Sequence, residues 1–331
     1  MRRGLIFLAA FLGTVVFLWV GWGIFSSLST KKENEETDTN IAKAIGSEPK
    51  EKFNDTLPKD VPLSLPGLIK NSNIPIGSRS GVVIEADTGK VILEQNAFAT
   101  FPLASLTKLM SAMVALDHRV NLEESVSISA EDYKIGGNLR IVPNSETVKV
   151  RDLLYASITG SANNAAIALA KKTGLSDKDF VEEMNRKAIE LKLDSLHFAD
   201  TSGLSPENTG SAYDISRLAG YVFTKYPIIF DAASKSTYKI VTQNTHREHI
   251  IKNPNTLFES CPEEFVVSKT GYLDEALYNL VLGRKSKKDN KLIIGVTLGH
   301  PSKGGGERET LSLLDDADAG RVAGASAEAV E

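Results

Sequence analysis

EFVVSKTGYLDEALYNLVLGR, residues 264–284, decides the fold. Phe265-Val266-Val267 and the run from Leu277 to Gly283 are rich in β-branched, aromatic and leucine side chains, and each reads as a strand. Between them stands Lys269-Thr270-Gly271. The ammonium and hydroxyl can grip a carboxylate, and the glycine lets a substrate backbone come close. Outward from this stretch, residues 291–298 supply a further strand after an Asp289-Asn290 loop. At the other end of the domain, residues 81–86 and 91–95 flank an Asp87-Thr88-Gly89-Lys90 turn, a hairpin signal. The middle is helical. Leu106, Leu109, Met110, Met113 and Leu116 keep helical spacing over 105–118, and similar patterns return at 150–157, 163–172, 177–191 (with Asp177 as cap) and 213–226. Two short strands are expected at 238–242 and 249–252. Strands at both ends with helices between them predict an α+β domain: one antiparallel sheet from the terminal strands, helices packed on it, and an inserted helical lobe.

The chain has 331 residues and a formal net charge of −4. The charge gives no footprint for nucleic acid. Its one cysteine, Cys261, excludes an intrachain disulfide and reads as a small, semi-buried apolar residue. Arg2 and Arg3 precede residues 4–25, which carry no charge. As a helix this run reaches roughly 33 Å, enough to cross a bilayer core of about 30 Å. It is long for a signal peptide, and no small-x-small site built on alanine follows, so residues 1–26 are expected to be an uncleaved transmembrane anchor rather than a signal peptide. The arginines keep its start cytoplasmic and put the rest on the outer face of the cytoplasmic membrane. Residues 27–73, charged at first and then punctuated by Pro49, Pro58, Pro62 and Pro66, read as a linker. The folded domain is expected over 74–314, with 315–331 a disordered Ala/Gly/acid-rich tail.

Three short patterns carry chemistry. Ser105 and Lys108, at i and i+3 on a helix, share one face, which lets a neutral lysine take the serine proton. Ser29, Ser47 and Ser236 also have lysine three residues on, but only Ser105 opens an apolar-periodic helix. The bland alternative is a capping serine followed by a solvated lysine. Ser161-Ala162-Asn163 stands at a break between helical patterns, where a hydroxyl could relay a proton and an amide could hold a carbonyl; either side chain could instead cap the next helix. Lys-Thr-Gly occurs twice. Lys172-Thr173-Gly174 ends a helix, with Gly174 suited to terminate it, so Lys269-Thr270-Gly271 is the copy free to wall a cleft. His246 and His249 are the nearest histidine pair, yet i and i+3 on a strand face opposite ways, and no HExxH occurs. The histidines are expected to be surface residues, with neither metal nor cofactor.

In this order and with these neighbours, Ser105-Leu106-Thr107-Lys108, Ser161-Ala162-Asn163 and Lys269-Thr270-Gly271 resemble the three motifs of penicillin-recognising serine enzymes. Pro102–Met110, Gly160–Ala166, the Ser202–Asn208 core and Asn253-Pro254-Asn255-Thr256-Leu257 narrow the resemblance to low-molecular-weight D-alanyl-D-alanine carboxypeptidases of peptidase family S11. The resemblance implies a β-lactamase/DD-peptidase-like fold with a five-stranded antiparallel sheet. It also implies a carboxypeptidase acting on peptidoglycan stem peptides and acylated by β-lactams. On the matching positions it makes Ser105 the nucleophile, Lys108 the base and Ser161 the proton relay. Asn163, Lys269, Thr270, Gly271 and the Tyr272 backbone become substrate contacts. Lys269 and burial would together depress the Lys108 pKa. A DD-endopeptidase would use the same machinery; a non-catalytic penicillin-binding sensor is the other alternative, and the retention of all the motif residues argues against it. A class A β-lactamase would need a Glu-x-x-Leu-Asn stretch that is absent. Asn164 stands where the family commonly has aspartate, Ser268 where glycine is frequent, and Glu275-Ala276-Leu277-Tyr278 lacks the usual Ala-Gly pair.

Overall fold

The computed structural model describes residues 77–320. The expected anchor (1–26), the linker (27–73) and residues 321–331 lie outside the described residues. Strands β1 (Ser80–Glu85) and β2 (Val91–Gln95) form the expected hairpin, with a bulge between Val83 and Ile84. The chain continues through β3 (Thr100–Pro102), a 3₁₀ turn at Ala104–Thr107 and helix α1 (Lys108–Asp117). Next come β4 (Ser125–Val126), α2 (Ala130–Lys134), β5 (Val148–Lys149), α3 (Val150–Ile158), α4 (Asn163–Lys171) and α5 (Asp177–Glu190). After β6 (Thr209–Ser211), α6 (Ala212–Lys225) and α7 (Pro227–Ala233) comes the ribbon β7 (Thr237–Val241) and β8 (Glu248–Lys252). A short α8 (Leu257–Ser260) precedes β9 (Val267–Leu273), β10 (Leu277–Lys285), β11 (Leu292–His300) and α9 (Lys303–Asp318).

The sheet has the order β2-β1-β11-β10-β9 with antiparallel neighbours. The two ends of the domain therefore meet at its centre, where Val82 faces Val296 and Ile84 faces Ile294. Both sheet faces are covered, which is why these strands are apolar throughout instead of alternating. Val82, Ile84, Val281, Ile294 and Val296 pack with the helical lobe, whose centre is α1. Val83, Leu93, Leu280, Leu282 and Ile293 pack on the other side with Leu313 and Leu314 of α9.

Several expectations need correction. The boundary at 314 falls inside α9, and residues 315–318 are helix, not tail. That end is held by Arg284, a buried guanidinium that pairs with Asp315 at 2.9 Å and with Asp318. The third-motif strand begins at Val267, because Pro262–Glu264 is a 3₁₀ turn. Helix α5 is capped by Ser176, whose Oγ accepts from the Asp179 N–H at 3.1 Å; Asp177 is its first residue. His300 is not a surface histidine: it is 9% exposed, and a Cβ on Gly305 would lie 2.1 Å from its Cε1. Among the described residues no helix is long and apolar enough to cross a membrane.

Candidate active site

The residues before α1 do not begin the helix, as the spacing suggests. They form a tight 3₁₀ turn in which Ala104 holds a positive φ of 49°. A left-handed non-glycine residue is strained and persists only where its surroundings impose it. Here the Asn208 carbonyl receives the Leu103 N–H at 2.8 Å, and the Gly203 backbone packs on the Ala104 carbonyl. The turn still sets Ser105 and Lys108 on one face, with Lys108 Nζ 2.7 Å from Ser105 Oγ.

Lys108 is fully buried. Its Nζ also donates to Asn163 Oδ1 at 2.8 Å and to the Ser202 carbonyl. A neutral amine has two N–H bonds and one lone pair. Two carbonyl acceptors occupy the hydrogens and leave the lone pair for the Ser105 hydroxyl. Burial pushes the amine down to about 7, and the Asp200 carboxylate pulls the other way. The sequence expectation names Lys269 beside burial as the cause; burial dominates, and Asp200 is the neighbour it omits.

Ser161 and Asn163 do not cap α4. The cap position is Ala162, with no side-chain bond to the helix. Both polar side chains instead meet lysines: Asn163 reaches Lys108, and Ser161 Oγ accepts from Lys269 Nζ at 2.8 Å. Ser161 achieves this with a φ of 57°. The turn is pressed from both sides. A Cβ on Gly160 would lie 2.3 Å from Ile251 of β8, and Asn138 Nδ2 donates to the Gly160 carbonyl. Asn164 is buried and gives its amide N–H to the Leu139 carbonyl, a duty for which asparagine suffices.

Lys269 lies inside β9, buried, with its second contact to the Thr270 carbonyl at 2.9 Å. Burial, then repulsion from Lys108, hold its pKa well below the ordinary lysine value. A Cβ on Gly271 would sit 2.9 Å from the Leu103 carbonyl oxygen and 3.2 Å from the Ser105 nitrogen, so glycine is what lets this edge strand lie against the Ser105 turn. Ser268 earns its departure from glycine: its buried Oγ accepts from Asn255 Nδ2 at 2.8 Å, tying the asparagine-rich turn to the strand. Tyr272 is exposed, its ring tilted on Tyr278.

A cleft of about 320 Å³ runs along these groups, lined by Ser105, Ser161, Thr270, Gly271, Tyr272 and, from α9, Lys303. Lys108 and Lys269 reach it through their bonds to Ser105 and Ser161, and Asn163 stands behind Lys108. The other Lys-Thr-Gly lies elsewhere: Lys172 pairs with Glu124 and Thr173 Oγ1 donates to the Ala170 carbonyl. Among the described residues no group of three or more His, Cys, Asp or Glu could hold a metal. Sequence reasoning misses Asp200, Asn138 and Lys303. Asp200 two residues before Ser202-Gly203 is an Asx-turn signal that could have flagged the first; Asn138 and Lys303 carry none.

Known proteins are similar to this chain in sequence and in fold. A D-alanyl-D-alanine endopeptidase of Haemophilus influenzae is 33% identical over 239 residues, 72% of this chain and 81% of the relative. The D-alanyl-D-alanine carboxypeptidase DacF of Bacillus subtilis is 30% identical over 254 residues, 74% of this chain and 63% of the relative. In three dimensions the chain is similar to the Streptomyces K15 DD-transpeptidase, with a TM-score of 0.67 at 26% identity, covering 74% of this chain and 97% of that one. The family model for peptidase S11, described as D-alanyl-D-alanine carboxypeptidase, matches residues 69–302, and the chain belongs to that family.

Proposed function

We propose that this protein is a serine-type D-alanyl-D-alanine carboxypeptidase that removes the terminal D-alanine from peptidoglycan stem pentapeptides. The observation that carries the reading is Ser105 Oγ 2.7 Å from the buried amine of Lys108, on a cleft also lined by Ser161, which is bonded to a second buried lysine, Lys269. Ser105 attacks the penultimate carbonyl while Lys108 accepts its proton. The oxyanion sits between the backbone N–H groups of Ser105 and Tyr272. Ser161, bonded to Lys269, passes a proton to the departing D-alanine amine. Water then hydrolyses the ester and restores Ser105. Thr270 offers the hydroxyl and Lys303 the positive charge that a free terminal carboxylate needs. A β-lactam would acylate the same hydroxyl. The reading puts the domain outside the cytoplasmic membrane, tethered by residues 1–26.

A second reading is favoured by the Haemophilus relative, which is named an endopeptidase. In a cross-link the leaving amine belongs to a second stem peptide, and the same groups would act. Fluorescent penicillin labelling of the wild type and of Ser105→Ala, followed by assay of free D-alanine from a pentapeptide and of cleavage of a cross-linked muropeptide dimer, separates the readings. We expect wild-type labelling, none in folded Ser105→Ala, and D-alanine release. Dimer cleavage without D-alanine release would favour the endopeptidase, labelling with neither product a sensor. An unlabelled, folded wild type would end all three.

A further inference from the structure

We propose that Asp200 is a positioning residue for the Ser105–Lys108 pair, acting through the loop it organises and through its own negative charge. The inference rests on the reading of Lys108 as the base and deepens it. Asp200 is half-buried, and its carboxylate accepts six hydrogen bonds from one loop. Oδ1 receives the N–H groups of Ser202 and Gly203, both at 2.6 Å, that of Leu204 at 3.3 Å, and the Ser202 hydroxyl at 3.0 Å. Oδ2 receives the Ser205 N–H and, at 2.9 Å, Asn208 Nδ2. Six converging donors favour a carboxylate over a carboxylic acid. Burial pushes the Asp200 pKa up, but the N–H groups of Ser205, Ser202 and Gly203 outweigh it and hold the group below its ordinary value.

The loop so gathered grips the nucleophile segment at four consecutive points. The Asn208 carbonyl receives the Leu103 N–H at 2.8 Å. Gly203, at a φ of 83°, packs on the Ala104 carbonyl, where a Cβ would come within 2.0 Å of the oxygen. The Ser202 carbonyl receives Lys108 Nζ, and the Thr201 carbonyl receives Ser111 Oγ at 2.6 Å, one turn along α1. A loop with no charge at its centre could make these contacts. The charge adds a second effect, because it favours the ammonium form of Lys108 against burial. Asp200 is the charged group that acts on the Lys108 amine, and it opposes burial; the other titratable side chain nearby, Lys269 of β9, is itself pushed down by burial and by Lys108.

The test is the pH profile of Ser105 acylation by a fluorescent penicillin, measured on the wild type and on Asp200→Asn. The wild type should lose rate on the acid side as Lys108 gains its proton. Asparagine keeps an acceptor but not the charge, so the plateau should fall and the acid limb should move to lower pH. At a pH one unit below the wild-type midpoint, the variant should retain a fraction of its own plateau roughly threefold or more above that of the wild type. A limb that coincides with the wild type, whatever the drop in plateau, would leave Asp200 a merely structural residue and overturn the proposal. Should Asp200→Asn fail to fold, Asp200→Glu is read in its place: the charge is kept, so the limb must stay while the plateau falls, and a displaced limb refutes the inference. A wild type that acylates with no acid limb at all would instead remove Lys108 as the base, and this inference with it.

Discussion

At the residue scale the decisive fact is that two lysine amines, Lys108 and Lys269, are buried on the same cleft with two serines between them and the solvent. A buried ammonium is costly, and a buried amine with satisfied N–H groups is far less so. The same burial that costs stability thus suits Lys108 to the proposed role of base. The sign follows directly. Lys108 has its ordinary value of 10.5 in the unfolded chain and about 7 in the native one, so the unfolded chain binds more protons between these values. Its contribution to stability therefore falls as pH drops from 10.5 to 7. The rate follows the native value: acylation should be near its plateau above pH 7 and fall about tenfold per unit well below it. Stopped-flow acylation across pH 5–9 checks this, and a flat profile would contradict it. Ser105→Ala leaves these lysines in place and removes the nucleophile only, which makes it the clean partner to the pH experiment.

At the scale of elements, the site is a meeting of three turns and one edge strand, and glycines set the distances. Gly203 is the sharpest case. Alanine there must bear a φ of 83° and would thrust its Cβ to 2.0 Å from the Ala104 oxygen and 3.0 Å from the Ser105 nitrogen. Gly203→Ala should cost about 1–2 kcal/mol in backbone strain alone. Because the nucleophile turn must move, it should also lose about a hundredfold in acylation rate. Gly174 supplies the control: its φ is 78°, yet nothing lies within 4 Å of an added Cβ, so Gly174→Ala should lose similar backbone energy and no activity. Thermal unfolding with penicillin acylation on both variants checks the pair; equal activity losses would defeat the argument. Elements with strong apolar period were legible in sequence: the β1–β2 hairpin, α1, α6 and β11 stand within a few residues of where pattern puts them. Helix α9 was not. Its first turn carries Gly304-Gly305-Gly306, which pattern reads as loop, and close packing on His300 is what demands glycine at 305 and 306. The three motifs were legible through their order and their neighbours, since Ser105 and Ser161-Ala162-Asn163 taken singly read equally well as helix caps. Asp200 was not, because it acts through backbone N–H groups of its own loop.

At the scale of the whole molecule, the described domain is closed on itself. Its first residues are tied to its last helix: the N–H groups of Gly77 and Ser78 both donate to the Glu309 carboxylate. Both sheet faces are covered, one by the helical lobe and the other by α9. A cut before Gly77 therefore removes none of these contacts. That gives the anchor reading a test that does not depend on the catalytic one. Residues 4–25 carry no charge and follow two arginines, which suits a membrane span. The full chain should sediment with membranes and resist alkaline carbonate extraction. A chain beginning at residue 74 should instead remain in the supernatant, unfold at the same temperature as the detergent-solubilised full chain, and be acylated by penicillin at the same rate. If the arginine end stays inside, as the anchor reading has it, protease added to spheroplasts should remove the domain from the full chain while sparing cytoplasmic markers. A full chain released by carbonate would show that residues 1–26 do not span the bilayer. A truncated chain that loses acylation would show that residues before 74 contribute to the folded domain or its cleft.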